Sequence, residues 1–266
     1  MGARVKTMTL IGIDSSTEVC SAALMQDGKV IAERINRSGS NHAALLPTYV
    51  QELQAEARER GLAIEGVALS EGPGSYTGLR IAASLAKGLC YGLDVPLYAV
   101  STLAVIAYST SENIRTRIFT EEHGEIFVCP MIDARRMEVY CAVYEIDESR
   151  ESRAESQESR AESLKVVQAL EAKVIDEHSF EELLDQHVVY FCGNGAEKCK
   201  DVIKHKNARW IDGVVPTGAA AAHLVESGKW KVESLVRTID GKEIAYFEPN
   251  YLKEFIAAPS HVKGLR

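Results

Sequence analysis

The segment Glu71-Gly72-Pro73-Gly74-Ser75-Tyr76-Thr77-Gly78-Leu79-Arg80 constrains the fold more than any other stretch of this chain. It follows a short apolar run at 64–70 and precedes a stretch whose apolar residues recur at helical spacing to about Leu93. A strand that passes through a glycine-rich turn into a helix is the connection of an α/β layer. Such a turn points free backbone N–H groups along a helix N-terminus, where an anion can sit. Equally, the glycines can answer to sterics alone. Both readings fit the residues. The spacing is not that of a nucleophile elbow, which needs G-x-S-x-G, nor of a Walker A loop, which ends in Gly-Lys-Ser/Thr.

The elements on either side extend the α/β reading. Residues 8–13 form a β-branched apolar run, followed by the polar cluster Asp14-Ser15-Ser16-Thr17-Glu18. Strands at 19–25 and 30–35 flank the turn Gln26-Asp27-Gly28-Lys29, which has hairpin chemistry. A helix is expected over 41–60, with Leu45, Leu46, Tyr49, Val50, Leu53 and Ala57 on one face and Gly61 after its end. A strand at 97–100 and a helix capped by Ser101 or Thr102 complete the order βββαβαβα. Farther on, 126–132 and 138–146 alternate around Asp133-Ala134-Arg135-Arg136 and read as a hairpin. Strands are expected at 166–175 and 188–192, and helices at 179–186, after Gly193-Asn194-Gly195-Ala196, and at 218–226. The stretch 148–163 repeats ESRAES at a period of seven and has no branched or aromatic apolar residue. It cannot offset its ordering entropy by burial and reads as a disordered insertion.

Charge and composition remove several functions. Net charge is −8, unlike a freestanding nucleic-acid binder, though RNA work beside a basic partner stays open. None of the six cysteines forms a C-x-x-C pair, so reduced, buried thiols in a cytoplasmic protein are expected. No targeting segment or membrane span is expected. The seven histidines include no i,i+3 or i,i+4 pair, and His42 stands alone at a helix start. A carboxylate with hydroxyls after a first strand, as at Asp14, Ser15, Ser16 and Thr17, is how actin-like ATPases meet phosphate and magnesium. Hairpin turns use the same residues.

Taken together, four stretches resemble the TsaB (YeaZ) family of bacterial tRNA threonylcarbamoyladenosine biosynthesis proteins, within the glycoprotease-like group. They are Ile11-Gly12-Ile13-Asp14-Ser15-Ser16-Thr17, the helix bearing His42, Leu45, Leu46 and Pro47, the segment 72–81, and Asp133-Ala134-Arg135-Arg136 with Glu138-Val139-Tyr140. The resemblance runs through about residue 146. Beyond that it rests on the Gly193 loop and on Pro249-Asn250-Tyr251-Leu252.

The resemblance implies a two-lobed actin/Hsp70-like (ASKHA) α/β fold with mixed sheets flanked by helices. Its lobes would span 1–112 and 113–230, with a tail at 231–266 returning to the first. It implies a non-catalytic scaffold that pairs with TsaD and is joined by a TsaE-like ATPase. That complex transfers threonylcarbamoyl to the adenosine next to the anticodon. ATP and a metal would reside on the partner subunits, with no cofactor here, and tRNA would be met through the complex. The related TsaD holds its metal with a histidine pair, of which only His42 has a counterpart here.

The expected partner surface is Leu79, Ala82, Ala83, Ala86, Leu89 and Cys90 on the helix 77–93, with Leu45, Tyr49 and Leu53 on the preceding helix. Packing of that face on the chain's own sheet is the alternative, and a homodimer could use the same residues. Asp14 to Thr17 remain a candidate phosphate site. The rival functions are a metalloprotease-like enzyme, opposed by the missing histidine pair, and a nucleotide-hydrolysing ASKHA enzyme, which Asp14 keeps open. A sugar-kinase-like ASKHA enzyme is a third, for which 266 residues are few.

Overall fold

The computed structural model describes residues 8–39, 41–117, 126–148, 162–226 and 235–253. Three strands open the first lobe: β1 (Thr9–Asp14), β2 (Cys20–Gln26) and β3 (Lys29–Asn36) form an antiparallel meander. Asp27 and Gly28 both take positive φ at the β2–β3 turn, matching the twist of the strands they join. Helix α1 (His42–Glu59) leads to β4 (Gly66–Gly72), parallel to β1. Helix α2 (Tyr76–Leu93) then leads to β5 (Leu97–Ser101), parallel to β4. Both helices send their apolar stripes onto one face of this sheet.

Helix α3 (Thr102–Arg117) is different. Leu103, Ala104, Val105, Ile106 and Ala107 are consecutive and fully buried. A helix that is apolar all round needs cover on every side. It lies between the two sheets, touching β4 and β5 of the first and strands of the second. The second sheet begins with β6 (Ile126–Asp133), β7 (Glu138–Glu148) and β8 (Glu162–Val174), paired antiparallel. Helix α4 (Glu181–Gln186) precedes β9 (Val189–Cys192), parallel to β6, and β10 (Ala208–Ile211) pairs parallel with β9. Helix α5 (Gly218–Glu226) packs on β1, β2 and β4, so its contacts lie with the first sheet although it falls in the 113–230 span. Finally β11 (Val236–Ile239) pairs antiparallel with β5. The sheet orders are β11-β5-β4-β1-β2-β3 and β10-β9-β6-β7-β8. The molecule is thus α/β, with two mixed sheets flanked by helices.

Three expectations change. The strand expected from residue 166 starts at Glu162, and Glu148 pairs with Glu162 at the edge of the expected insertion. Burial of Ile146 and Leu164 on one side carries the β7–β8 ladder that far. The rest of the insertion, 149–161, lies outside the described residues. The helix expected after the Gly193 loop is a single 3-10 turn, Glu197–Cys199. No helix among the described residues is long and apolar enough to cross a membrane.

Candidate functional site

The C-terminal ends of β1 and β4 lie side by side and deliver the polar cluster and the glycine loop to one place. The two interlock. Ser75 N–H donates to the Ser16 carbonyl at 2.6 Å, and Ser15 Oγ donates to the Gly78 carbonyl at 2.8 Å. A β-carbon on Gly74 or Gly78 would stand inside 3.0 Å of the Ser16 or Ser15 carbonyl oxygen, so side chains are excluded by close backbone approach. Gly72 has φ 118° and precedes a cis Pro73. Ser75 caps α2, its Oγ accepting from Gly78 N–H at 3.3 Å. Two of the amides that an anion would want are thereby given to protein oxygens, and sterics account for the glycines. Asp14, Ser15 and Ser16 are completely buried and Thr17 nearly so. These four residues are enclosed in the fold: the Ser15 hydroxyl and the Ser16 carbonyl hold the glycine loop, Asp14 is bonded by Ser16, and Thr17 Oγ1 accepts from Val19 N–H at 3.3 Å.

Asp14 accepts from Ser16 N–H at 3.2 Å and from Ser16 Oγ at 3.0 Å. The Ser70 hydroxyl lies beside the carboxyl from β4 without a hydrogen bond of good geometry. Burial pushes Asp14 up from 3.8 to about 6, overriding the lowering by Ser70, Ser16 and the charge of His42. At a given pH the neutral acid is therefore more populated in the fold than in the unfolded chain. Between about pH 4 and pH 6 the native state binds more protons than the unfolded chain, so stability falls as pH rises through that window. The whole effect is at most about 3 kcal/mol. Asp14→Asn keeps the shape and removes the charge. At pH 7 it should raise the melting temperature by roughly 4–8 °C, and near pH 4 the variant and parent should melt together. A lower melting temperature at pH 7 would mean that the carboxylate is stabilised in place.

Among the described residues, His42 belongs to no group of three or more metal-ligating side chains. Its Nε2 lies 3.1 Å from the Glu18 carbonyl. All six cysteines are buried, and desolvation pushes the Cys192 thiol up to about 12, where it is inert as a nucleophile.

The packing turns most of the expected partner surface inward, with Leu89 also lining the groove between α1 and α2. Leu79, Ala82, Ala83, Ala86, Leu89 and Cys90 are buried, as is Leu53. Ala82, Ala83, Ala86, Leu89, Cys90 and Leu53 belong to the core beneath α1 and α2. Leu45 and Tyr49 are half-buried. Helix α2 has two stripes of small residues about 180° apart, and the inner one faces its own sheet. The outer stripe is Ser84, Gly88 and Gly92, one turn apart. With Leu85, Leu89 and Leu93 it forms one wall of a groove of about 420 Å³. Pro47, Val50, Gln51 and Gln54 of α1 form the other wall. A β-carbon on Gly88 or Gly92 would meet no atom within 4 Å, so no intrachain contact requires glycine at either place. Beside the groove Tyr91 is 89% exposed. Two glycines four residues apart in the C-terminal part of the helix are the signal that locates this face.

The tail returns to the glycine loop from the other side. Arg237 on β11 pairs with the nearly buried Glu71. Asn250 N–H donates to the Glu71 carbonyl at 2.8 Å, and the Tyr251 and Tyr76 rings stand 4.8 Å apart. Lys253 reaches the Glu138 carboxylate at the base of the β6–β7 turn. A second bridge joins the lobes through Asn194, whose side chain donates to Glu18 at 2.9 Å and accepts from Asp133 N–H at 3.1 Å.

Comparison with known proteins follows the same lines. Residues 29–259 match the family described as TsaD: tRNA N6-adenosine threonylcarbamoyltransferase. The tRNA threonylcarbamoyladenosine biosynthesis protein TsaB of Bacillus subtilis is 33% identical over 138 residues, 52% of this chain and 56% of that protein. Its counterpart in Escherichia coli is 34% identical over 142 residues, 53% of this chain and 57% of that protein. The matched part of the chain spans just over half the length of these curated relatives. Among solved structures, YeaZ from Pseudomonas aeruginosa superposes with a TM-score of 0.61 at 26% identity, covering 82% of this chain and 90% of that one. A second Pseudomonas aeruginosa protein, described as similar to peptidase YEAZ, reaches 0.67 at 24% identity over 92% of this chain and all of that one. That second likeness is one of fold.

Proposed function

Since the chain belongs to the tRNA N6-adenosine threonylcarbamoyltransferase (TsaD) family and resembles its TsaB (YeaZ) members, we propose that it is a scaffold subunit of tRNA threonylcarbamoyladenosine synthesis. In this reading it pairs with a TsaD homologue through the groove between α1 and α2, and a TsaE-like ATPase joins the pair. ATP and metal chemistry belong to those partners.

The observation that carries this reading is the outer stripe of α2. A glycine inside a helix costs roughly 1 kcal/mol against alanine, as at Gly88, and neither Gly88 nor Gly92, which lies one residue before the helix ends, relieves a contact within the chain. What they permit is the close approach of another backbone over Ser84, Gly88 and Gly92. Tyr91 and Leu93 stand exposed as apolar anchors at the rim.

Two substitutions at one position test it. Gly88→Ala should stabilise the isolated chain by about 1 kcal/mol, or roughly 2–4 °C, while weakening its pairing with the TsaD homologue. Gly88→Arg should leave the fold intact, because the side chain points into open space, and should weaken pairing at least a hundredfold by calorimetry. The chain alone should transfer no threonylcarbamoyl to tRNA, and activity should appear with its partners and fall with the Gly88→Arg pairing defect. Undiminished pairing in both variants would assign the groove another role. Transfer by the highly purified chain alone would remove the scaffold reading.

A further inference from the structure

We infer that the strip joining the start of α2, the tail and the β6–β7 turn is the surface that meets the single-stranded loop of the tRNA. This rests on the scaffold reading and adds to it a place of contact. Arg80 lies over the Tyr76 ring, its guanidinium carbon 4.7 Å from the ring centre, and Tyr76 faces Tyr251. Two residues farther on, Lys253 holds Glu138, and Glu138 N–H donates to the Arg135 carbonyl. A cation, two facing aromatic rings and a second cation therefore follow one another along one path that crosses from the first lobe to the second.

The charge balance along this path differs from that of the molecule. Three of the described carboxylates along it are engaged by cations: Glu71 by Arg237, Asp133 by Lys198 and Glu138 by Lys253. Arg80, Arg135 and Arg136 make no salt bridge to a described residue. A chain of net charge −8 thus keeps three guanidinium groups outside any salt bridge on one strip, with Arg135 drawn electrostatically towards Asp133. Arg135 and Arg136 occupy consecutive left-handed positions, φ 74° and 50°, at an exposed turn where Asn-Gly would be the relaxed choice. Each such residue costs roughly 1–2 kcal/mol, which the fold bears while presenting two cations at its tip. Tyrosine rings with arginines beside them are what unstacked bases and their phosphates require. An acidic protein segment would use the cations but not the rings.

The test uses the complex of this chain with its TsaD homologue and a labelled, unmodified transcript of a tRNA reading codons that begin with A. Arg135→Gly/Arg136→Gly keeps the turn, since glycine accepts both φ values. It should weaken tRNA binding at least tenfold near 0.1 M salt. The slope of log affinity against log salt should fall by roughly 1.4–1.8 for two phosphates lost. Tyr251→Ala should weaken binding fivefold or more with the slope unchanged, and Tyr251→Phe should restore it. Lys29→Glu, at the opposite end of the first sheet, should change neither. Pairing with the TsaD homologue, followed by size exclusion, should be the same in all. Normal tRNA affinity and slope with intact pairing would overturn this surface and leave the scaffold reading standing. Loss of the ATPase with tRNA binding intact would assign the strip to a protein and overturn it too. Failure of the parent chain to pair would remove both.

Discussion

Ala82→Arg is expected to unfold the chain, not merely to weaken its pairing. Ala82 is completely inaccessible, on the inner stripe of α2. It belongs to the same apolar cluster as Ile13, Leu69 and Phe247, which come from β1, β4 and the tail. An arginine there would set its guanidinium among the apolar side chains of that cluster. A buried charge without a partner costs several kcal/mol, comparable to the whole stability of an ordinary domain. Circular dichroism should show loss of the cooperative transition, and the protein should be recovered mainly insoluble. Gly88→Arg, less than two turns away, should melt like the parent. The pair of results reads out the two sides of one helix. A soluble, cooperatively melting Ala82→Arg variant would show that the inner stripe can open.

The second large effect is expected at Gly12. Here β1 and the first turn of α5 touch backbone to backbone. A β-carbon on Gly12 would stand inside 3.0 Å of the Gly218 carbonyl and of Ala222 Cβ, and one on Gly218 would likewise meet the Gly12 carbonyl. Ser21 Oγ accepts from Gly218 N–H at 2.9 Å and fixes the helix at this height. Gly12→Ala must lift α5 or bend β1. Either movement disturbs the buried Ala221, Ala222 and Leu224. Overpacking of this kind costs about 3 kcal/mol, so the melting temperature should fall by roughly 6–12 °C. A fall of less than about 2 °C would mean that the crossing yields easily.

The first lobe was readable because its signals are local. Asp27-Gly28 announces a hairpin, Gly61 ends α1, and apolar spacing marks both helices. What periodicity could not supply was the side of α2 that faces inward, since small residues line both sides of it. Burial of Asp14 was equally illegible. A polar cluster after a strand looks the same whether it faces solvent or a second loop, and the loop lies sixty residues away. Helix α5 carried the same ambiguity, because an alanine-rich stretch fits either sheet. Strand β11 is four residues long with two exposed, and only its partner β5 makes it a strand.

That last pairing has a consequence for synthesis on the ribosome. Val100 waits for Val236, so the outer edge of β5 stays unpaired until roughly 135 more residues have been made. At about 5–20 residues per second, that is an interval of roughly 7–27 s. Throughout it, a nascent first lobe presents an open edge strand, the ready template for pairing with another chain. Glu71 likewise waits for Arg237 and Asn250. The lobe made first therefore closes only after the strands of the second have been made.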